Sequence, residues 1–509
     1  MATQDTSASG QSYFQILKAM AMIGGSSLVN VMFSILRNKA MAVLLGPAGV
    51  GQMGLYASIV ELAQVIAGLG VQSSGVRQIA EAAGTGNMDR IACTASVLRR
   101  TSIVLGAMGA LLLVVLAQPI AKLTFGDYQH TAGVALLSLA IFLQLVTGGQ
   151  LALIQGMRDI ASLARISILG GLCSTLITVA LVYLFGANGI AASIVASAAA
   201  MFLIARSYGR GVRISRTTLT ARQLADEISP LLKLGIVFMF SGLLMAGSSY
   251  VIRLIILHDG GIAQAGLYQA AWALGGLYAG FILQAMGTDF YPRLTAVASD
   301  HEACNRLVND QTHISLLLAG PGVIATLTLA PLAMWFFYSP EFHPATVILR
   351  WICLGMMLRI IAWPLGYILL AKGSRALFFW AELASAVIHV GLAWLLVSTF
   401  GSVGAGIAFF GLYIWHGGLI YAVTRRLTGF RWSMANLRLG AIFIAAAAAT
   451  FCATLLLPSW QSIVVGFLVT LVSGLYSLWR LIDILPEESL PRPVRAWISK
   501  IGLIDNAGQ

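Results

Sequence analysis

The chain has 509 residues, of which 58% are hydrophobic and only 10% are charged. Soluble globular proteins carry about 25% charged residues, so this composition excludes a soluble fold. A net charge of +12 could indicate nucleic-acid binding in a soluble protein. In a membrane protein it is typical of basic cytoplasmic loops, so no nucleic-acid partner is expected.

Long apolar runs follow one another along the chain and predict about 14 membrane-spanning helices. Each run is close to or longer than the roughly 20 residues that cross a bilayer. Transmembrane β-strands are excluded, because they alternate apolar and polar residues over only about ten positions. The predicted helices cover residues 17–45, 53–75, 96–118, 132–153, 164–185, 187–206, 231–257, 265–288, 313–337, 344–371, 375–400, 403–423, 437–457 and 460–481.

Polar segments flank the predicted helices. Residues 1–13 lack the features of a signal peptide and predict a short disordered cytoplasmic tail, and residues 482–509 predict a second cytoplasmic tail. If residue 1 is cytoplasmic, nearly all Lys and Arg residues between the helices lie on the inner side, and the outer loops contain only Lys122. The positive-inside rule therefore predicts that both termini are cytoplasmic.

An internal repeat divides the chain into two halves. The heptapeptide VGQMGLY at residues 50–56 recurs as IAQAGLY at residues 262–268, and Gly156-x-Arg158 recurs as Gly373-x-Arg375. Matches that occur in the same order at equivalent helices predict a duplicated unit of six helices. Because six is an even number, both units enter the membrane in the same direction.

The repeat predicts an all-α polytopic membrane protein with two parallel six-helix lobes around a central cavity, followed by two C-terminal helices. Two lobes with a cleft between them are typical of alternating-access transporters. The predicted boundaries are an N-terminal lobe at 14–206, a cytoplasmic linker at 207–230, a C-terminal lobe at 231–425, and helices 13 and 14 at 437–481.

Five basic residues, Arg37, Lys39, Arg253, Arg350 and Arg359, lie within predicted spans, where a charge costs about 2.5–3.5 kcal/mol on insertion scales. Helices 1 and 7 are equivalent in the repeat, so Arg37, Lys39 and Arg253 could face one another across the cleft. A cationic cavity of this kind, with Arg359 as a fourth candidate, would suit a phosphate or pyrophosphate head group. The alternative is snorkelling to the outer interface, which is favoured for Arg350.

Glu61 and Glu382 are the clear acidic residues within the spans. Glu61 is predicted at about the depth of Arg37, where it either pairs with Arg37 or Lys39 or acts as a proton- or ion-coupling carboxylate. Glu382 is a second candidate for ion coupling. It lies seven residues before His389 on helix 11, so both residues occupy one helix face.

Motifs for catalysis or metal binding are missing from the sequence. It contains no GxxxxGK[ST] phosphate loop, no HExxH and no GxSxG, and its cysteines show no ligand spacing. The predicted outer loops are too short to hold a catalytic site. We therefore expect no catalytic residues, no metal site and no cofactor, and do not expect an enzyme.

The stretch LRNKAMAVLLGPAGVG at residues 36–51 resembles the end of helix 1 in polysaccharide-transport flippases, which run from a basic residue through an apolar stretch into LGPxGxG. The following Gly54-Leu55-Tyr56 and the Gly373-x-Arg375 element are similar too. The resemblance covers residues 14–425. It is strongest to the O-antigen (Wzx-type) flippases of the multidrug/oligosaccharidyl-lipid/polysaccharide (MOP) superfamily.

The resemblance implies a bacterial inner-membrane protein that moves an undecaprenyl-pyrophosphate-linked oligosaccharide, such as an O-antigen repeat unit, to the periplasmic leaflet. It implies alternating access coupled to an ion gradient, with the polyprenyl tail staying in lipid. Membrane lipids are the implied surroundings, and a polysaccharide polymerase and chain-length proteins are candidate partners. Arg37 and Lys39 are the charged positions that fall within the shared element.

Other functions stay open at this point. A multidrug or cation antiporter of the same superfamily is the nearest alternative, although a cationic cargo would favour acidic rather than basic residues within the spans. A lipid II flippase is a second alternative. A membrane-embedded polymerase or glycosyltransferase needs polar catalytic loops, which this chain lacks, and a scaffold role without transport is a further alternative.

Overall fold

The structure is a computed structural model, and it describes residues 2–209, 221–286 and 290–484. Over these residues the chain forms α-helices joined by short turns, without any β-strand. The helices are α1 (Ala2–Gly68), α2 (Val71–Gly84), α3 (Met88–Val115), α4 (Ala117–Phe125), α5 (Thr131–Gly156), α6 (Ile160–Phe185), α7 (Gly189–Gly209), α8 (Ala221–Ala285), α9 (Tyr291–Ala296), α10 (His301–Phe337), α11 (Ala345–Ala371), α12 (Arg375–Phe400), α13 (Ser402–Thr428), α14 (Met434–Leu456) and α15 (Ser459–Ile484).

Eleven segments of the described chain are long and apolar enough to cross a bilayer. Three of them, Val29–Gly68, Ala161–Gly209 and Glu227–Leu277, are 40, 49 and 51 residues long, about twice the ~20 residues that one crossing needs. Each contains a break in helical geometry and therefore supplies two spans, which gives 14 spans in total. The predicted all-α membrane protein with about 14 spans is confirmed, while the division into two lobes stays a prediction.

Two glycines break the long helices α1 and α8 shortly before the repeated heptapeptides at residues 50–56 and 262–268. Gly46 has φ of 64° and Gly261 has φ of 79°, a left-handed conformation that glycine adopts without the steric penalty of a Cβ. Pro47 follows Gly46 at the start of the next helical segment, where its missing N–H leaves no hydrogen bond unmade. We call the parts before and after each break the first and second arms of α1 and of α8.

The second arms of α1 and α8 meet through their backbones. A Cβ added to Gly266 would lie 1.8 Å from the carbonyl oxygen of Pro47, and one added to Gly51 would lie 2.2 Å from the carbonyl oxygen of Ile262. No larger side chain fits at either position without moving the helices apart. We call this the outer glycine contact, because it lies next to the breaks on the predicted periplasmic side.

A second close approach lies at the opposite end of the same helices. A Cβ added to Gly70, at the start of α2, would lie 2.0 Å from the carbonyl oxygen of Gly235 in the first arm of α8. A Cβ on Gly235 would in turn lie 2.3 Å from the carbonyl oxygen of Leu69. This inner glycine contact joins the same two parts of the chain on the predicted cytoplasmic side.

The last two spans are anchored to α10. Phe443 of α14 fills the space beside Gly320, where an added Cβ would lie 2.4 Å from the Phe443 ring. His313 Nδ1 lies 2.8 Å from Asn436 Oδ1, and Asn436 Nδ2 donates to the carbonyl oxygen of Asn309 at 2.8 Å. The helices predicted outside the repeat, at residues 437–481, therefore pack on the second half of the chain.

The ends and the linker differ in part from the sequence analysis. The backbone is helical from Ala2, whereas the sequence analysis predicts disorder for residues 1–13. A helix nucleated in an apolar run propagates at little cost through Ala, Ser and Gln when no proline intervenes. Within the predicted linker at 207–230, α7 extends to Gly209 and α8 begins at Ala221. Residues 210–220 and 485–509 lie outside the described residues.

Candidate functional site

A cavity of about 340 Å³ lies between α1, the second arm of α8 and the outer end of α10. Ligand sites in proteins commonly measure about 300–1,000 Å³, so this volume is large enough for a head group. We call it the outer cavity. Its lining includes the polar residues Ser34, Arg37, Asn38, Gln269 and Tyr338. It also includes Gly54, which lies close to the Gln269 side chain.

Arg37 is the charged residue among the described residues that line the outer cavity. Its Nη1 donates to Ser174 Oγ of α6 at 3.2 Å, and its Nε is buried without a partner among the described residues. A guanidinium carries five N–H donors, so most of those of Arg37 have no hydrogen-bond partner among the described residues. Its planar fork of donors matches the oxygens of a phosphate, so the structure places Arg37 where it can hold an anion.

Arg253 lies beside the outer cavity but does not line it. Its side chain is buried, and its Nε donates to Gln269 Oε1 at 3.0 Å. Its Nη1 donates to the carbonyl oxygen of Ser249 at 3.0 Å and to the hydroxyl of the same residue. Arg253 therefore holds the Gln269 amide at the cavity wall, and the predicted cluster of three cations facing one another is not formed.

Lys39 joins α1 to the end of α10 instead of facing the cavity. Its Nζ donates to the carbonyl oxygens of Trp335, at 2.9 Å, and of Tyr338. The last carbonyls of a helix have no intrahelical partner and carry partial negative charge, so they attract a cation. Because α1 and α10 belong to different halves of the sequence, Lys39 forms an outer latch between them, and its predicted role as a head-group ligand is not seen.

Replacing Lys39 with methionine should loosen this outer latch. The change keeps an apolar stem but removes both hydrogen bonds, and hydrogen bonds to charged groups contribute about 1.5–3 kcal/mol. We expect the fraction of molecules open to the periplasm to rise roughly tenfold or more. The measurement is the rate at which a membrane-impermeant thiol reagent modifies Ala57→Cys, a lining position of the outer cavity, after replacement of the native cysteines.

Lys122→Met is the matched control for this experiment. Lys122 lies near the end of the short helix α4, close to the Tyr128 ring and remote from α10 in sequence. The same change at Lys122 should leave the modification rate of Ala57→Cys at the wild-type value. An unchanged rate in Lys39→Met would show that the Lys39 hydrogen bonds do not hold the outer side closed.

A second cavity of about 330 Å³ lies nearer the predicted cytoplasmic side. Its walls come from the second arm of α1 and from α2, α3, α5 and the first arm of α8. We call it the inner cavity. Its lining includes the polar side chains of Glu61, Gln64, Gln72, Ser73 and Ser102 and the aromatic ring of Phe238.

Glu61 lies deeper than the sequence analysis predicts. The second arm of α1 begins at Pro47, so Glu61 is about 22 Å from the break at Gly46 and Arg37 is about 13 Å from it, at 1.5 Å per residue. Neither Arg37 nor Lys39 pairs with Glu61, which makes no hydrogen bond or ion pair with any described residue. The Glu61 side chain instead interacts electrostatically with Arg253. The predicted common depth is wrong because helix 2 starts earlier than its apolar run.

Arg359 and Glu382 form a separate charged group within α11 and α12. The Arg359 guanidinium carbon lies 4.5 Å from the ring centroid of Trp363 and 5.9 Å from that of Tyr413. Electrostatic interactions link Arg359 with Glu382 and with His389. Neither Arg359 nor Glu382 lines the outer or the inner cavity. The structure therefore does not bring Arg359 together with Arg37.

Several polar residues of the two cavities were not singled out by the sequence analysis. Gln269 directly follows the repeated heptapeptide at 262–268, and Asn38 stands between the two basic residues of helix 1. Asn38 Nδ2 lies 3.5 Å from the hydroxyl of Tyr338, at the end of α10. Gln269 adjoins a repeated element and Asn38 lies in the stretch that resembles the flippases, which was a signal, but neutral polar residues inside a span are too common to be selected without the structure.

The sequence is similar both to a family of polysaccharide biosynthesis proteins and to a flippase of known name. The family model described as "Polysaccharide biosynthesis protein" matches residues 40–347. The chain is also 25% identical to the Lipid III flippase of Escherichia coli (strain K12) over 413 residues, which cover 78% of this chain and 95% of that protein.

Solved structures show the same fold at low sequence identity. An inward-facing multidrug resistance MATE family transporter of the MOP superfamily matches with a TM-score of 0.69 and 17% identity, over 82% of this chain and 98% of that chain. The lipid II flippase MurJ, in an inward closed conformation, matches with a TM-score of 0.68 and 13% identity, over 91% of this chain and all of that chain.

The family match covers more than half of the chain and includes both cavities in large part. It agrees with the LGPxGxG element of helix 1, so the resemblance stated from the sequence is confirmed. The chain belongs to the polysaccharide biosynthesis protein family, and it has the fold of the MOP superfamily flippases.

Proposed function

We propose that this protein is a flippase that moves an undecaprenyl-pyrophosphate-linked oligosaccharide from the cytoplasmic to the periplasmic leaflet of a bacterial inner membrane. The observation that carries the proposal is Arg37, which lines a cavity between the two halves of the chain and has guanidinium donors without a partner among the described residues. A pyrophosphate supplies the acceptor oxygens that these donors lack. The similarity to a lipid III flippase over almost all of that protein supports a lipid-linked cargo.

The two glycine contacts support alternating access. Both join α8 to the first half of the chain, one on each predicted side of the membrane, with the two cavities between them. Opening one contact while the other stays closed would expose the cavities to one side at a time. The charged head group then crosses inside the protein, where it avoids the large cost of entering hydrocarbon, while the polyprenyl tail stays in lipid.

Glu61 and Glu382 are the carboxylates that we propose for ion coupling. Glu61 lies in the inner cavity without a partner among the described residues, and Glu382 lies within the field of Arg359. Neutralising either carboxylate would change the charge balance of its surroundings. A proton or cation that binds there on one side of the membrane and leaves on the other would link transport to its gradient.

The setting follows from the same proposal. We infer that the protein spans the inner membrane with both termini in the cytoplasm, and that its surroundings are membrane lipids. After translocation, the lipid-linked oligosaccharide would be taken up by a polysaccharide polymerase and chain-length proteins. No catalytic residue is assigned, because the proposed reaction moves a molecule without breaking a bond in it.

Two observations keep other candidates in view. The fold likeness to a lipid II flippase covers 91% of the chain, and a pyrophosphate site would serve that cargo as well. The fold likeness to a multidrug transporter is similar in extent. A cationic drug is less suited to the outer cavity, since the described residues of its lining include Arg37 and no acid.

Deletion of the gene in its native host is the experiment that tests the proposal. We expect surface polysaccharide to be lost and the lipid-linked repeat unit to accumulate on the cytoplasmic leaflet, and a plasmid copy should cure both defects. Accumulation of lipid II with cell lysis would favour the lipid II flippase instead. Unchanged polysaccharide with altered sensitivity to cationic drugs would contradict the flippase proposal and favour an antiporter.

A further inference from the structure

We propose that the inner cavity is a saccharide-binding subsite, which takes the glycan of a lipid-linked cargo while the pyrophosphate lies at Arg37. This inference rests on the proposed flippase function and adds to it. It assigns the two parts of one head group to two separate cavities, and it predicts that the protein recognises sugar and not only the charged lipid.

The lining of the inner cavity combines several kinds of hydrogen-bonding group. Glu61 supplies a carboxylate, Gln64 and Gln72 supply amides, and Ser73 and Ser102 supply hydroxyls. Together these side chains both donate and accept. The hydroxyl groups around the edge of a pyranose also both donate and accept, so this lining is chemically complementary to a sugar.

Phe238 supplies the apolar element of the same site. Its side chain is 42% exposed and lines the inner cavity. The flat face of an aromatic ring is apolar and carries a partial negative charge, which suits the C–H groups on one face of a pyranose. One exposed ring in the same cavity as a set of polar side chains is thus matched to a ligand that is polar at its edge and apolar on its face.

Within the described part of the chain, the polar side chains of the inner cavity have no hydrogen-bond partners. None of Glu61, Gln64, Gln72, Ser73 and Ser102 has a side-chain hydrogen bond to another described residue, and Glu61, Gln72 and Ser73 are exposed. Polar groups left unsatisfied within the thickness of a bilayer cost several kcal/mol each. These groups therefore face water or a polar ligand, and their number fits a ligand with many hydroxyls.

Two glycines of α5 leave room for the side chains of Gln72 and Ser102. A Cβ on Gly148 would lie 2.7 Å from Gln72 Oε1, and a Cβ on Gly149 would lie 2.5 Å from Ser102 Oγ. Because α5 has no side chain at these two positions, Gln72 and Ser102 rest against its backbone. The glycines allow the polar groups to sit where they do.

Charge separates the two cavities. The carboxylate of Glu61 repels a phosphate from the inner cavity, while the guanidinium of Arg37 attracts one to the outer cavity. A simple ammonium ion would be attracted by Glu61, but it would leave the amide donors and the exposed ring unused. The anionic and neutral parts of one head group therefore have different places to bind.

The test compares two lipid probes on the purified full-length protein in nanodiscs. The probes are undecaprenyl pyrophosphate and the lipid-linked oligosaccharide extracted from the deletion strain, and native mass spectrometry measures their affinities. We expect Gln72→Leu to weaken binding of the oligosaccharide lipid about tenfold and to change the affinity for undecaprenyl pyrophosphate less than about twofold. Phe238→Ala is the second variant and should show the same selectivity.

Glu61 separates the saccharide role from a role limited to ion coupling. Glu61→Gln keeps one acceptor oxygen and replaces the other with an amide donor, which a sugar hydroxyl can also bind. We therefore expect it to bind the oligosaccharide lipid within about threefold of wild type, whereas Glu61→Ala should lose about tenfold. If Glu61→Ala also binds like wild type, the carboxylate has no part in sugar recognition and the inference fails for this residue.

Gln118→Leu, the same change at an exposed position outside both cavities, is the matched control and should bind both probes normally. Wild-type protein that binds the two probes equally, or a Gln72→Leu variant that loses both equally, overturns the saccharide subsite and leaves the flippase proposal standing. Wild-type protein that binds neither probe overturns the flippase proposal itself.

Discussion

Replacing Arg37 with alanine is expected to reduce lipid-linked oligosaccharide transport about 10- to 100-fold while the protein still inserts and folds. Charge-assisted hydrogen bonds contribute about 1.5–3 kcal/mol, and 1.4 kcal/mol corresponds to a factor of ten. The described lining of the outer cavity has no other charged residue to replace Arg37. Ser174 would lose one hydrogen bond, which is a small cost to stability.

Arg37→Lys should retain only part of the transport rate. An ammonium keeps the positive charge but presents a compact point charge in place of a planar fork, so it holds a pyrophosphate with less geometric precision. We expect an activity between those of wild type and Arg37→Ala. The measurement is transfer of the lipid-linked oligosaccharide between leaflets in proteoliposomes, together with rescue of surface polysaccharide in the deletion strain.

Arg77→Ala is the control for the loss of a basic residue. Arg77 is exposed on α2 and forms an ion pair with Glu81 at 2.8 Å, and surface pairs of this kind contribute about 1 kcal/mol or less. Its removal should leave transport near the wild-type rate. Normal transport by Arg37→Ala, at equal expression, would contradict the assignment of the outer cavity as the pyrophosphate site.

Gly266→Ala and Gly235→Ala are expected to shift the protein in opposite directions. The new Cβ of the first would lie 1.8 Å from the Pro47 carbonyl oxygen, and that of the second 2.3 Å from the Leu69 carbonyl oxygen. Both distances are far inside van der Waals contact, and overpacking of this kind costs about 1–3 kcal/mol. Each variant can relieve its clash only by separating α8 from the first half at that contact.

We expect Gly266→Ala to favour states open to the periplasm and Gly235→Ala to favour states open to the cytoplasm. The populations should change about 5- to 150-fold, and both variants should transport slowly because one half of the cycle becomes unfavourable. Accessibility of Ala57→Cys and Ser73→Cys to impermeant thiol reagents, applied to cells and to inverted vesicles, reports the two openings.

Gly276→Ala is the matched control, because no atom lies within 4 Å of its added Cβ and it lies on the same arm of α8 as Gly266. It should transport and label like wild type. If all three glycine variants behave alike, the close approaches are ordinary packing and the two contacts do not act as gates.

Much of the fold could be predicted from the sequence, because each membrane span is a long stretch of mostly hydrophobic residues. A span needs about 20 apolar residues, and the chain supplies them repeatedly. The position of Arg37 at an internal cavity could also be predicted, since a charge in such a run usually faces the protein interior. Both inferences depend on the hydrophobicity of a whole helix, and not on which of its faces points to a neighbouring helix.

The breaks in α1 and α8 could not be located from apolar runs alone. The stretch from Gly46 to Gly54 is rich in glycine and looks like a loop, so the second helix was predicted to begin at residue 53. The structure keeps these residues helical because their small size lets the two backbones meet. Glu61 consequently lies about 9 Å deeper than Arg37 along the arm, at 1.5 Å per residue, which no local pattern indicates.

The partners of Lys39 and Arg253 depend on the directions in which their side chains point. Lys39 is only two residues from Arg37, a rotation of about 200° on an α-helix, so it faces α10 while Arg37 faces the cavity. Arg253 turns toward Gln269 of its own helical hairpin. Sequence equivalence between helices 1 and 7 indicates similar depth, but it does not fix which face of each helix meets the cleft.

The outer latch also bears on the integrity of the cell. A membrane protein with a hydrated interior threatens the proton-motive force whenever it is empty, because an open passage would let ions leak between turnovers. The bonds from Lys39 to the end of α10 would make periplasmic opening of an idle molecule roughly 10- to 100-fold rarer, given about 1.5–3 kcal/mol for such bonds. We therefore expect cells to tolerate high expression of the wild-type protein, whereas Lys39→Met at the same level should lower membrane potential and slow growth.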